Sequence, residues 1–414
     1  MNRFSFLELG GIMNKRIIFH VDVNSAYLSW EAVHRRKVLN EEIDLRTLPS
    51  AVGGDMSKRH GIILAKSTPA KKYGIITGEP IQAALKKCPN LVLVPPNHAL
   101  YSKYSKDMFE ILYSFTPDIE PFSVDEAFLD MTGAILPNKT PIETAEILKN
   151  RIHNELGFTV NVGISNNKLL AKMASDFKKP DMIHTLFPEE MPIKMWPLPL
   201  IELFFVGKSS AKILTSLGFE TIGDIANCNV KILKAHLGNK HGELIHNYAN
   251  GIDNEIVQSL AVANKGYGNS TTLAQDILDS DSAKHVLLLL SETVGGRLRG
   301  DNVTCSCITV EYTDCNFVKS SHQTTLVSTT NSATVIYETA CKLLKNSWSG
   351  VPLRLLGIRT SKITTEEYNQ MNLFDMAKTE KLQKLDKALD NIRGKYGNDA
   401  ITRASIINSH LDKH

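Results

Sequence analysis

The chain has 414 residues, 43% hydrophobic and 22% charged, with a formal net charge of +3. That length exceeds one ordinary core and calls for several domains, while so small a net charge does not by itself point to a polyanionic partner. No apolar run approaches the roughly 18 residues that span a bilayer, so the expectation is a soluble, cytoplasmic protein with no membrane partner.

Residues 1–12 carry neither a basic n-region nor a cleavage pattern, and Met13-Asn-Lys-Arg16 directly precedes the first convincing strand. They read as a disordered extension, with Met13 the expected start. Ile17-Ile-Phe-His-Val-Asp-Val23 is a short apolar run ending in an acid, followed by Asn24-Ser25 and the helix-compatible Tyr27–Val33. Asn24 suits a cap on that helix. Ile119–Val124 and Ala127–Met131 read as the arms of a hairpin with Asp125 and Glu126 at its tip. A helix from about Pro141 to Leu156, a strand at Thr159–Gly163 and a helix around Lys168–Phe177 complete a βαββαβ order, with other sequence inserted between Ala26 and Pro96.

From Pro188 to about Leu260 the texture becomes helical and small, with Phe205-Val-Gly-Lys-Ser-Ser-Ala-Lys-Ile-Leu214 as a helical-hairpin core. Residues 265–364 combine two helical stretches with alternating strands, among them Thr304–Tyr312 and Leu353–Thr360, and predict a second α/β unit. In that unit Cys305 and Cys307 alternate along a strand, so buried packing is the expected reading rather than a zinc site. The other four cysteines are scattered, as in a protein that keeps its thiols reduced. The tail from Thr365 is polar and then amphipathic, with Leu382, Leu385, Leu389 and Ile392 at helical spacing as an expected packing face.

The proposed topology sets the end of the first strand beside the hairpin tip, so Asp22, Asp125 and Glu126 converge. Carboxylates a few Å apart raise each other's pKa, which makes a hard divalent cation with oxygen ligands the natural occupant. Two such ions suit phosphoryl transfer. Taken alone, an Asp-Glu pair equally well tips a surface turn, and Asp22 equally well caps a helix.

The surrounding text distinguishes the two readings. His20-Val-Asp-Val-Asn-Ser-Ala-Tyr27, Ala51-Val-Gly-Gly-Asp55, Phe122-Ser-Val-Asp-Glu-Ala-Phe-Leu-Asp130 and Val162–Lys172 with Lys179-Pro180 together resemble the Y-family translesion DNA polymerases, in the bacterial polymerase IV and polymerase V branch. The resemblance runs from about Lys15 to Thr364. It implies an α/β multidomain right-hand polymerase: a ferredoxin-like βαββαβ palm (13–25 and 97–187), small fingers (26–96), a helix-hairpin-helix thumb (188–260), an α/β little finger (265–364) and a tail (365–414). It further implies low-fidelity, template-directed addition of deoxynucleotides in DNA repair and damage tolerance by a monomer acting on primer-template DNA.

By the same resemblance Asp22, Asp125, Glu126 and the Val23 carbonyl hold two Mg2+ ions, for which Mn2+ can substitute. Tyr27 stands at the position of a steric gate against the 2′-hydroxyl, at a helix N-terminus whose free N–H groups can receive triphosphate oxygens. Where relatives present tyrosine and arginine to the triphosphate, this chain has Thr68 and Lys71, which lose a long hydroxyl and a bidentate fork. Lys179 supplies a further phosphate contact. Ala26 is small where many relatives are aromatic, which opens the pocket floor.

Gly207 of the thumb hairpin is retained, next to Lys208, but Phe205 replaces the first glycine, which puts one close approach of backbone to phosphate in doubt. Arg297, Arg299, Arg354, Arg359 and Lys362 are the candidate little-finger contacts to the DNA backbone, giving binding that weakens with salt and ignores sequence. Gln370-Met-Asn-Leu-Phe374 matches the peptide by which bacterial polymerases hold the sliding clamp, with Gln370 fixing register and Leu373 and Phe374 filling an apolar pocket. Two rivals are weaker. A silent scaffold recruiting factors to the clamp has no use for intact Asp22, Asp125 and Glu126, and a nucleotide cyclase, suggested by Gly53-Gly-Asp55, has none for a thumb and little finger.

Overall fold

The computed structural model describes residues 16–54, 61–260, 263–365, 376–397, 400, 401 and 403. Residues 1–12, Asp55 and the clamp-like Gln370, Leu373 and Phe374 lie outside the described residues. Those described divide into two compact units, one ending at 260 and one starting at 263.

In chain order the first unit runs β1 (Ile18–Val23), α1 (Ala26–Lys37), β2 (Ser50–Gly53), β3 (Ile63–Lys66), α2 (Thr68–Lys71), α3 (Ile81–Lys87), β4 (Val92–Val94), α4 (His98–Tyr113), β5 (Ile119–Pro121), β6 (Glu126–Asp130), α5 (Pro141–Leu156), β7 (Val160–Ser165), α6 (Lys168–Asp176), β8 (Ile183–Thr185), α7 (Met191–Lys194), α8 (Lys208–Ser216), α9 (Ile222–Asn227), α10 (Val230–Leu237) and α11 (Asn239–Ala249). The second runs β9 (Gly266–Ile277), α12 (Ser280–Gly300), β10 (Thr304–Asp314), β11 (Lys319–Thr330), α13 (Ala333–Ser347), β12 (Leu353–Thr364) and α14 (Met376–Tyr396).

The main sheet of the first unit has the order β5-β6-β1-β7-β8. Its middle strands β1 and β7 are buried at every residue, including the polar His20, Asp22, Asn161 and Ser165. β1 is antiparallel to both neighbours, and its Asp22 faces Glu126 across one side and Asn161 across the other. The connection between the hairpin strands is longer than its sequence suggests. β5 ends at Pro121, and both Phe122 and Ser123 donate their N–H to the Glu126 carbonyl, so Asp125 closes the turn and Glu126 begins β6. The edge strand β8, parallel to β7, extends the sheet beyond the six elements read from sequence.

α1, α4 and α5 bury Leu28, Trp30, Tyr101, Met108 and Leu148 in one core with Phe19, Val21 and Val162 of the sheet. α5 is fixed at both ends, by a complete capping box of Thr140 with Glu143 and by Gly157 in the left-handed conformation. α6 lies on β7 so closely that a Cβ on Gly163 would sit 2.0 Å from the Ala171 carbonyl oxygen. Residues 50–94 build a small sheet of order β3-β2-β4 over their own core of Ala51, Ile63, Ile81 and Ala84. The helices from α7 to α11 pack around Leu203, Leu214, Ile225, Leu233 and Ile245, together with Leu170 and Met173 of α6.

The second unit is a four-stranded antiparallel sheet, β11-β10-β12-β9, with α12 and α13 contributing Val286, Leu290, Ile336 and Leu344 to its core. Both expected cysteines are buried free thiols; Cys305 belongs to that core and Cys307 lies outside it, on either side of a slip in the β10–β11 register. The tail helix α14 forms where expected, but only Leu382 and Leu389 of its expected packing face are partly covered. Asp386 is buried, whereas Leu385 and Ile392 of the expected packing stripe are exposed, because the contacts of this helix are ionic. Among the described residues no helix is long and apolar enough to cross a membrane.

Candidate active site

A cavity of about 600 Å³ opens at the C-terminal end of β1. Asp22, Val23 and Asn24 form one wall, Ala26 and Tyr27 of α1 the next, Lys66, Thr68 and Lys71 a third, and Asp125, Lys179 and Pro180 the fourth. Eight of the residues singled out from sequence, Asp22, Val23, Ala26, Tyr27, Thr68, Lys71, Asp125 and Lys179, therefore line one space. Glu126 does not line it. It pairs with Asp22 on the neighbouring strand, and its carboxylate meets Lys172 of α6.

The three carboxylates are neighbours with different surroundings. Asp22 accepts from Lys179 Nζ at 2.8 Å and lies 3.6 Å from Lys172 Nζ. Glu126 Oε2 lies 3.1 Å from Lys172 and 3.4 Å from the ring of His20. Asp125 meets only neutral help, from the Ser123 hydroxyl at 2.6 Å. Burial, reinforced by the charges of Asp22 and Glu126, therefore raises the Asp125 pKa. Burial would raise Glu126 as well, but His20 and Lys172 outweigh it and hold that carboxyl well below the usual range. Burial drives the fully enclosed His20 toward its neutral form. The sequence reading passed over Lys172 and His20 as site residues; their spacing, two residues before Asp22 and four before Asp176 on an amphipathic helix, is the signal that marks them.

These residues fit a hard divalent cation by donor chemistry. Three carboxylates and the Val23 carbonyl supply only oxygen, the donor set such a cation takes. Lys172 lies within 3.6 Å of both Asp22 and Glu126, and Lys179 within 2.8 Å of Asp22. Among the described residues no three acidic, histidine or cysteine side chains close on one point.

Around the acids, Asn24 departs from its expected role as a helix cap. Its side chain accepts from Thr159 Oγ1 at 2.9 Å and Asp181 N at 2.8 Å and donates to Asn161 at 3.0 Å, tying β1 to β7 and to the segment after α6. Ser25 precedes α1 instead, in the left-handed conformation with no side-chain cap, so the first N–H groups of α1 face the cavity without a side-chain acceptor. Tyr27 is held by a stacked Tyr101, ring centroids 4.3 Å apart, and an edge-on His98 at 6.0 Å. Arg46, not anticipated, also lines the cavity, but its guanidinium is committed to Asp44 and to the Gly157 carbonyl at 2.7 Å.

Outside the cavity, Gly207 precedes α8, and a Cβ there would meet nothing within 4 Å. Lys208 is exposed, and Phe205 adopts φ 69°, the conformation of the glycine it replaces. In the second unit Arg359 and Lys362 are exposed on β12, Arg354 lies 4.7 Å over the Phe317 ring, and Arg297 is exposed while donating to the Gly268 carbonyl. Arg299 is not available to a ligand. Its guanidinium is paired with Asp390 at 2.5 Å and Asp386 at 3.6 Å of α14, and only 14% of the side chain is exposed.

Comparison with known proteins agrees along the whole chain. The impB/mucB/samB family profile matches residues 21–176, its C-terminal domain 264–373, and the DNA polymerase-iota thumb domain 203–253. DNA polymerase IV of Clostridium acetobutylicum is 46% identical over 392 residues, covering 95% of this chain and 98% of that protein. DNA polymerase IV of Clostridium kluyveri is 37% identical, with the same shares covered, and DNA polymerase IV 1 of Bacillus subtilis is 35% identical over 96% of this chain and 95% of its own. The solved structure of a Y-family DNA polymerase chimera superposes with a TM-score of 0.71 at 23% identity, over 84% of this chain and 100% of that one.

Proposed function

The chain belongs to the Y-family DNA polymerases of the impB/mucB/samB type, and from that membership we propose that it extends primers by two-metal phosphoryl transfer with low fidelity, in repair and tolerance of damaged DNA. The observation that carries this reading is the cavity that gathers Asp22 and Tyr27, Asp125, and Lys179 from three separate stretches of sequence.

Asp22, Asp125, Glu126 and the Val23 carbonyl would hold two Mg2+ ions, or Mn2+ in their place, which when bound supply charge stabilisation at the attacking and leaving oxygens. The residues around them have their own tasks. Lys172 and Lys179 neutralise the acids against one another and keep Asp22 and Glu126 oriented. The first N–H groups of α1, with Lys179, Lys71 and Thr68, offer donors to the triphosphate. Tyr27, braced from behind by Tyr101, presents its ring to the sugar and excludes a 2′-hydroxyl, while Ala26 leaves the floor open. Gly207 and Lys208 would meet backbone phosphate, the empty space over Gly207 leaving room for it. Arg297, Arg354, Arg359 and Lys362 remain candidates for the duplex backbone, and Gln370, Leu373 and Phe374 for the sliding clamp.

Primer extension past an abasic site with magnesium tests the assignment. Asp125→Ala and Glu126→Ala should each lower kcat at least about a thousandfold, as for groups that act on the transition state. Unchanged extension by both variants would contradict it.

A further inference from the structure

Four basic side chains line the cavity, Arg46, Lys66, Lys71 and Lys179, against two acids, Asp22 and Asp125. Two of the four are already matched: Arg46 with Asp44, and Lys179 with Asp22 and Asp176, each at 2.8 Å. Lys66 and Lys71 have no carboxylate within ion-pair distance among the described residues. Glu79, the acid whose charge reaches Lys66, is bound to Lys87 at 2.6 Å and to the Ile76 N–H at 2.9 Å.

Lys66 is the last residue of β3, whose alternating burial points Leu64 and Lys66 to the same side, and both line the cavity. The residue is half-buried, and its ammonium donates to the Thr77 hydroxyl at 3.0 Å in an exposed contact. An ammonium has three donors, so Thr77 fixes its direction and leaves two N–H groups for a ligand. Burial, and then the nearby charge of Lys71, disfavour its protonated form. Two unmatched like charges in one wall are unfavourable until an anion arrives between them.

We propose that Lys66 is a further ligand of the polyphosphate of the incoming nucleotide, standing in for the donors that Thr68 and Lys71 lack. This rests on the polymerase reading of the cavity. A surface lysine without a ligand would sit in water; Lys66 is instead anchored at the cavity wall.

Single-nucleotide incorporation by the full chain, on saturating primer-template, is the test. Lys66→Met should raise KM for the deoxynucleotide about tenfold, the loss of one charge-assisted hydrogen bond, with kcat changed by less than about threefold. Inhibition by pyrophosphate should weaken in the same proportion, since it shares the chemistry. The dissociation constant for primer-template should stay put, Lys66→Arg should recover most of the KM, and Lys72→Met, an exposed neighbour that does not line the cavity, should behave as wild type. Extension with an unmoved KM overturns the assignment, as does a change confined to primer-template binding, which would give Lys66 to the template strand. A wild-type chain that extends no primer overturns the polymerase reading itself.

Discussion

Phe205 is a residue whose backbone obeys its position and not its type. It stands where a hairpin glycine is usual and keeps the glycine conformation, φ 69°, at a steric cost of about 1–2 kcal/mol for a residue with a Cβ. Its ring, half exposed, recovers part of that against Phe204 at 4.6 Å and Tyr248 at 6.0 Å. Alanine would keep the strain and lose the ring, whereas glycine would lose both. Thermal unfolding should therefore find Phe205→Gly more stable than Phe205→Ala by about 1 kcal/mol. Equal midpoints would mean that the strain is absent. Arg299 makes the complementary point: an arginine at the end of a helix is a fair candidate for phosphate until its partners are seen, and here Asp386 and Asp390 occupy it.

Among the elements, α6 does the most to build the site. It brings Lys168 to Glu120, Lys172 to Asp22 and Glu126, and Asp176 to Lys179, and it buries Leu169, Leu170, Met173 and Ala174 behind them. All of this depends on its close approach to β7 at Gly163, where the Ala171 carbonyl and the Ser175 N–H leave no space for a side chain. Backbone atoms cannot rotate away, so Gly163→Ala must displace the helix. A loss of about 3 kcal/mol or more in unfolding free energy is expected, accompanied by weaker extension, because Lys172 and Lys179 move with α6. A substitution that leaves both unchanged would show that α6 does not set the site. α14 illustrates the opposite kind of contact, docked by Arg299, Arg393 and their acids with Leu385 and Ile392 exposed.

For the whole molecule, the acids and the cavity belong entirely to the first unit, and the second holds Arg354, Arg359 and Lys362 on its inner strand β12 and an ion-paired helix. The clamp-like peptide 370–374 precedes that helix in sequence. Deleting 370–374 should abolish stimulation of synthesis by the clamp while sparing basal primer extension, as removal of a short docking peptide does. Equal loss of both activities would assign the segment to folding instead.

Much of this was legible in the sequence because it is local or periodic. The apolar run of β1, the acids around the β5–β6 turn, the capping box of α5 and the Lys179-Pro180 pair all lie in short stretches whose residue types carry their own reasons. The same holds for the family: its motifs are contiguous words, and Asp22, Tyr27, Asp125 and Lys179, which belong to them, line one cavity. What tertiary structure alone decided is pairing between distant charges. No spacing could reveal that Asn24 ties strands together and caps nothing, that Arg299 is spoken for, or that Lys66 faces the same space as Asp22 while Glu79 is held elsewhere. An ionic side chain reads the same in sequence whether it is matched or free, since its energy depends on which opposite charge the fold brings within a few Å.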